Sequence, residues 1–381
     1  MINKKLRAAN PQESSYSKLH PQLRLFTIIY PENRFFSSKR DRSGARSRTK
    51  RRRTRVRGMR LEGGLTPRRL LAYAFASSVA LEMPETRSNS IITIRDLRSL
   101  EDFKQVEVVE REVWALSDLD TLPLTLTVAT REAGGIWVGA FEGPALVGFA
   151  FGFLGLEKNR PNVHSHMLAV RAPYRDRDLG YKLKLAQRER VLALRVGDLR
   201  IREITWTFDP LQSKNAHLNF AKLGVISPSY MIDFYGPETS SPLHRNSTDR
   251  LWVKWPITSR RVQARLQGKD DRAEVLDALK TLCPLVQFNG DGRPSRADLA
   301  AALQRQRIAI EIPSDILLVE QRDPALAREW REATRWAFSE ALKAGFFVAE
   351  FCRTVRGQQG PGAYLLEKGN VEEYIPELTY T

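Results

Sequence analysis

The chain has 381 residues, with 61 Lys and Arg against 44 Asp and Glu, a formal charge of +17. At 42% hydrophobic and 28% charged residues it is neither a wholly disordered chain, nor a collagen-like fibre, nor a polytopic membrane protein. Its two cysteines, Cys283 and Cys352, exclude a disulfide scaffold and a cysteine-built zinc site, and with no metal pattern beside them both read as inert.

So basic a chain first suggests nucleic acid, but the charge is unevenly placed. Residues 1–82 hold 20 basic and 5 acidic residues, a net of +15, whereas residues 83–381 hold 41 and 39, a net of +2. The stretch 37–60 has one acid and almost no apolar residues, so it is expected to be a disordered basic arm. It could bind phosphates non-specifically through Lys50, Arg51, Arg52, Arg53, Arg55 and Arg57, or serve as an Arg/Ser-rich transit segment. A short signal peptide could instead begin at Met59, with Arg68-Arg69 before the apolar run Leu70–Leu81; Glu62 and the shortness of that run oppose it. The remaining reading is a later translation start, at Met59 or Met83. No sequence-specific nucleic-acid contact and no membrane contact is expected, and the expected location is the cytoplasm.

In chain order, residues 91–97 alternate as a half-buried strand, and Ser99 with Asp102 forms a capping-box start for a helix. Residues 124–133 predict a second helix. Ile136–Phe141 and Ala145–Gly155 predict a hairpin turning at Glu142-Gly143-Pro144, and Val163–Val170 a further strand. A long helix follows over Leu179–Arg195, with Leu179, Leu183 and Ala186 inward and Lys184, Arg188 and Glu189 toward water. Glu203–Phe208 is a strand, Asn215–Leu223 a short helix stopped by Gly224, and Val225–Tyr235 and Leu251–Ile257 are closing strands. Hairpins and a crossover helix in one sheet predict an α+β fold, with a mixed central sheet flanked by helices over 90–257. Residues 258–273 read as a linker or exposed helix, and 274–381 as a smaller α+β C-terminal unit. In that unit Ile308–Ile312 and Ile316–Val319 are strand-like, Ala325–Ala344 is helical with Trp330 and Trp336 in the core, and Phe346–Phe351 with Ala363–Leu366 is a hairpin.

The segment from Met167 to Leu183 is a strand, a tight basic turn and a helix start. Free backbone N–H groups and the positive helix end then converge on one spot, which suits an anion. Gly180 admits close approach, and Arg175 and Arg177 can add charge-assisted bonds to phosphate. Leu168, Val170, Pro173, Tyr174, Arg175 and Gly180 make this segment resemble the signature of the GNAT superfamily of acyl-CoA-dependent N-acyltransferases. Ala216, Phe220, Lys222, Leu223 and Gly224 match a second phrase of that family. The resemblance covers about residues 90–257, and the chain looks most similar to bacterial GNAT-like proteins with an extra C-terminal region.

The resemblance implies that acyl-CoA, with acetyl-CoA the expected donor, sits in a splay between Val163–Val170 and Glu203–Phe208. It implies a pantetheine arm along Leu168, Ala169 and Val170, and a pyrophosphate on the turn and helix start, through Arg175, Arg177, Leu179, Gly180, Tyr181 and Lys182. An amine, small-molecule or peptide, would attack the thioester directly, with positioning and proton transfer as the protein's contribution. Asp178 stands at the signature's first glycine, Lys182 replaces a small residue, and Phe220 replaces a tyrosine that serves as acid in many members. A degenerate protein of this fold that binds acyl-CoA or a partner without chemistry is therefore the alternative.

For proton transfer, His164 and His166 alternate on one strand and so share a face. His166, with Asp209 at the end of the neighbouring strand, is the candidate base, against a structural role for both histidines. Tyr235 is the candidate acid, with Tyr230 beside it as a second choice. Asn215 and Asn219, four apart, could bond the pantetheine or the substrate, unless Asn215 is a helix cap. Two histidines without a third ligand do not make a metal site, so no metal is expected.

Overall fold

A computed structural model describes residues 91–237, 239–269, 272–356 and 360–374, so the basic arm lies outside the described residues. The alternating run forms strand β1 (Ile92–Asp96), and the Ser99–Asp102 capping box opens α1 (Leu100–Trp114). Arg95 grips the same Asp102 carboxylate with two bonds of 2.9 and 2.8 Å; these hold its pKa well below the usual carboxylate range and tie strand to helix. Then come α2 (Leu124–Glu132) and the expected hairpin of β2 (Ile136–Glu142) and β3 (Ala145–Glu157), turning at Gly143 with φ +56°. Next are β4 (Arg160–Val170), α3 (Leu179–Ala193), a small ribbon of β5 (Arg195–Val196) and β6 (Leu199–Arg200), and β7 (Glu203–Phe208). α4 (Ser213–Ala216) runs into a π-helical stretch, His217–Leu223, which Gly224 ends at φ +75°. β8 (Ile226–Met231) and β9 (Arg250–Pro256) close this half.

The polar 258–273 stretch carries α5 (Arg260–Leu266), and α6 (Arg272–Thr281) follows. The remaining elements are β10 (Pro284–Phe288), β11 (Pro294–Arg296), α7 (Leu299–Leu303), β12 (Arg307–Ile312), α8 (Ile316–Arg322), α9 (Pro324–Lys343), β13 (Phe346–Cys352) and β14 (Gly362–Lys368). Ile316–Val319 is thus helical rather than strand-like. The Asp315 side chain caps it by accepting from the Leu318 N–H at 3.1 Å, a local signal that outweighs the β-branched composition.

The described strands other than β5 and β6 form one mixed sheet in the order β1-β2-β3-β4-β7-β9-β8-β13-β14-β12-β10-β11. It is antiparallel except at β4–β7 and β10–β12. Because β13 pairs with β8 through Val348 and Ser227, the sheet passes without a break from one half to the other. One buried cluster joins Val163, Leu183, Ile204 and Trp255 to Ile310, Trp330, Phe338 and Tyr364; a second, under α1, holds Phe103, Trp137, Phe149 and Phe151. α3 differs from its expected pattern: Lys184 is 2% exposed and faces the sheet, while Arg188 donates to the Ile257 carbonyl at 3.0 and 2.7 Å. Among the described residues no helix is long and apolar enough to cross a membrane.

Candidate functional site

β4 and β7 run parallel and pair at Val163 with Ile204 and at His164 with Thr205; beyond that point they part. β4 continues to Val170, still paired with β3 on its other edge up to Gly148 opposite Val170. The backbone edge of Ser165–Val170 therefore borders a wedge-shaped gap whose other wall is the rest of β7. A bulge in β4 opposite Phe151–Phe153 shifts its alternation. Ser165, Leu168 and Val170 turn toward the α3 side, whereas His166, Met167 and Ala169 turn toward the α1 side.

Past Val170 the chain makes a tight turn at Ala172–Tyr174 and enters α3. The N–H groups of Leu179, Gly180 and Tyr181 have no helical carbonyl before them, whereas that of Lys182 is already bonded to the Asp178 carbonyl at 3.0 Å. A Cβ on Gly180 would meet nothing nearer than 3.8 Å, and φ is not positive there, so the fold itself does not demand glycine at this position. That leaves the surface beside the helix end open. Arg175 bonds the Val170 carbonyl through Nε at 3.1 Å and keeps an exposed guanidinium, and Arg177 lies 5.5 Å over the Tyr174 ring. Asp178, at φ +55°, makes no capping bond; its carboxylate pairs with Lys222, which holds its pKa down. The pairing comes neither from Arg175 nor from Arg177 but from the π-helical stretch. A negative charge at the helix start is thereby offset by a lysine across the turn.

In the same stretch Asn219 is 4% exposed, and its carbonyl accepts from the Gly224 and Val225 N–H groups, while Asn215 is exposed and the cap position falls on Gln212. Phe220 is fully buried against Phe208 and Tyr364. His217 escaped the sequence reading. Burial, then the charges of Lys222, Arg272 and Arg353, push its pKa down to about 4, and its buried Nδ1 has no hydrogen-bond partner. A helix read at the ordinary spacing gives no hint that residues 217 and 222 draw together; the wider π-helical turn does that.

On the α1 side of the sheet, His164 Nδ1 and Thr205 Oγ1 are 3.2 Å apart, and the ring stacks on Trp252 with centroids 5.0 Å apart. Burial, and after it the charges of His166 and Lys184, lower the His164 pKa to about 4. His166 lies 6.2 Å from His164 between the Phe151 and Phe153 rings; that surround lowers its pKa although the residue reaches solvent. Across the gap the Tyr235 hydroxyl lies 3.4 Å from Thr207 Oγ1 of β7. His166 and Tyr235 thus sit on the two walls of the wedge. Asp209 goes elsewhere: it caps the following turn at the Leu211 N–H (3.0 Å) and pairs with Arg331 of α9, whose Nη2 donates to Oδ2 at 2.9 Å. Tyr230 is half-buried and donates to Asp249 at 2.6 Å; desolvation, and after it the Asp249 carboxylate, drives its pKa up. Among the described residues no three His, Cys, Asp or Glu side chains gather as a metal would require.

No protein-family model matches the chain, and neither does any curated protein. Solved structures do match. A chain of the NatC complex bound to Gag peptide and CoA is 17% identical at a TM-score of 0.35, over 44% of this chain and 99% of its own. The ribosomal-protein-S18-alanine N-acetyltransferase of Escherichia coli is 14% identical at 0.34, over 44% and 94%. A Desulfovibrio desulfuricans protein described as a GNAT-family acetyltransferase is 12% identical at 0.34, over 44% and 100%. The likeness is one of fold. It falls on less than half of this chain.

Proposed function

We propose that the protein is an acyl-CoA-dependent N-acyltransferase, with acetyl-CoA as donor and a primary amine as acceptor, acting in the cytoplasm. The observation that carries this reading is the parting of β4 and β7 directly before a helix start. An open strand edge can pair with an amide-bearing pantetheine arm through Leu168, Ala169 and Val170, as one strand pairs with another. The three free N–H groups of α3 and the Arg175 and Arg177 guanidiniums suit the pyrophosphate at the end of that arm. Gly180 keeps the approach open.

In this reading the thioester lies in the wedge between His166 and Tyr235. His166, neutral because its surround disfavours the charged ring, takes the proton of the acceptor ammonium. The amine nitrogen attacks the thioester carbonyl carbon, the C–S bond breaks, the departing thiolate takes a proton from the Tyr235 hydroxyl, and the new amide nitrogen gives up its extra proton to restore that hydroxyl. A phenylalanine at 220 leaves this last role open for Tyr235. The Arg331-paired Asp209 fixes the end of β7 rather than moving a proton.

Calorimetric titration with acetyl-CoA, followed by a thiol-release assay over an amine panel, tests this. Saturable binding below millimolar donor with amine-dependent thiol release is the expected result. Absence of binding at millimolar acetyl-CoA overturns the reading, and binding without thiol release for any amine converts it to the non-catalytic alternative.

A further inference from the structure

We infer that the wedge takes a second class of donor, the CoA ester of a short dicarboxylic acid, whose far carboxylate pairs with Lys184. This goes beyond acetyl-CoA and rests on the same acyl-transfer reading. The last paired residues of β4 and β7 are His164 and Thr205, so Ser165 and Trp206 are the first on either wall past the point of parting. Lys184 of α3 touches both: its Nζ donates to Ser165 Oγ at 2.7 Å and lies 3.6 Å over the Trp206 ring. The amine thus underlies the closed end of the wedge from the α3 side. A donor whose pyrophosphate rests at the start of α3, and whose arm follows Val170 back to Leu168, points its thioester toward that end. The acyl chain beyond the thioester then goes deepest.

Hydrogen-bonding groups at this floor are out of balance. Ser165 Oγ gives its own proton to Gln187 Oε1 at 2.7 Å, and the Gln187 amide nitrogen is buried with no partner. Lys184 is 2% exposed, with no ion pair among the described residues. Donors therefore outnumber acceptors, and the group that would restore the balance is an acceptor, best a charged one. An acyl chain ending in a carboxylate brings it. As the chain enters, Nζ takes a proton from solvent, and carboxylate and ammonium form a desolvated ion pair against the Trp206 ring. Burial disfavours the ammonium until that partner arrives. An uncharged chain of the same length sets a methyl group against the amine and gains nothing from it.

The test titrates acetyl-CoA, butyryl-CoA and succinyl-CoA into the full chain and into its Lys184→Met variant, with thiol release to an amine panel measured alongside. Succinyl and butyryl chains are equally long and differ in the terminal charge. Succinyl-CoA should bind the unaltered chain about tenfold or more tightly than butyryl-CoA. Lys184→Met, its folding checked by urea unfolding, should bring the two esters within about twofold of each other. Butyryl-CoA matching succinyl-CoA in the unaltered chain, or a succinyl preference that survives Lys184→Met, overturns the inference even where acetyl-CoA binds and thiol is released. A Lys184-dependent succinyl preference without thiol release upholds it and converts the acyl-transfer reading to the non-catalytic alternative. Absence of binding by all three esters overturns both.

Discussion

Lys184 is the costliest side chain where α3 meets the sheet. Its ammonium position is buried, 2.7 Å from Ser165 Oγ and 3.6 Å over the Trp206 ring, and no ion pair to it occurs among the described residues. Burial holds its pKa well below that of a free lysine. The unfolded chain therefore binds a proton that the folded one resists, from the lowered folded value up to the free value of about 10.4. Stability contributed by this site is lost as pH falls through that window and regained as it rises. Lys184→Met should raise stability at pH 7 by about 1–3 kcal/mol and flatten its rise toward pH 9.5, read by urea unfolding at the two values; an unchanged slope would refute this account. Helical period alone places Lys184 on the water side of α3. The packing of the helix against Trp206 and Ser165 turns it inward, and nothing local signals that.

At the scale of elements, α9 acts as a clamp on the neighbouring strands β7 and β9. Arg331 holds Asp209 at the end of β7 and also donates to the Asn246 carbonyl at 2.9 Å. One turn on, Arg335 makes two bonds of 2.8 Å to Asp249 just before β9. Arg331 is 4% exposed, so removing it strands a half-desolvated carboxylate. Arg331→Ala should cost about 3–5 kcal/mol in denaturant unfolding, whereas Lys104→Ala, which breaks a solvent-exposed pair with Glu101, should leave the curve where it was. Equal effects would show that the buried pair holds nothing. The elements themselves were largely legible: the Ser99 cap, the Gly143 hairpin, the turn before Gly180 and the stop at Gly224 each rest on a few adjacent residues. Ile316–Val319 was not, because a strand-like composition over four residues is weaker than an aspartate cap.

On the scale of the molecule, the extra C-terminal elements complete the sheet. β13 covers the edge of β8, Phe338 of α9 stacks on Tyr230 at 5.4 Å, and Tyr364 of β14 donates to the Pro210 carbonyl at 2.6 Å. Ending the chain after Thr281 would bare that edge and leave Asp209 and Asp249 without their arginines. Such a chain should fail to give a cooperative thermal transition or a dispersed amide NMR spectrum; a soluble, cooperatively melting fragment would show that the first half folds alone. The sequence by itself determined the α+β element order, the anion-ready turn before α3 and the segregation of charge into the first 82 residues, because periodicity, caps and composition act over a few neighbouring positions. Tertiary structure alone decided that Lys222 answers Asp178 from 44 residues away and that Arg331 claims Asp209 from 122. It also decided that the β4 bulge turns His166 to the α1 side of the sheet and that Tyr235 lies against Thr207 of β7. Those relations depend on strand register and on which helix packs where, and no spacing along the chain records them.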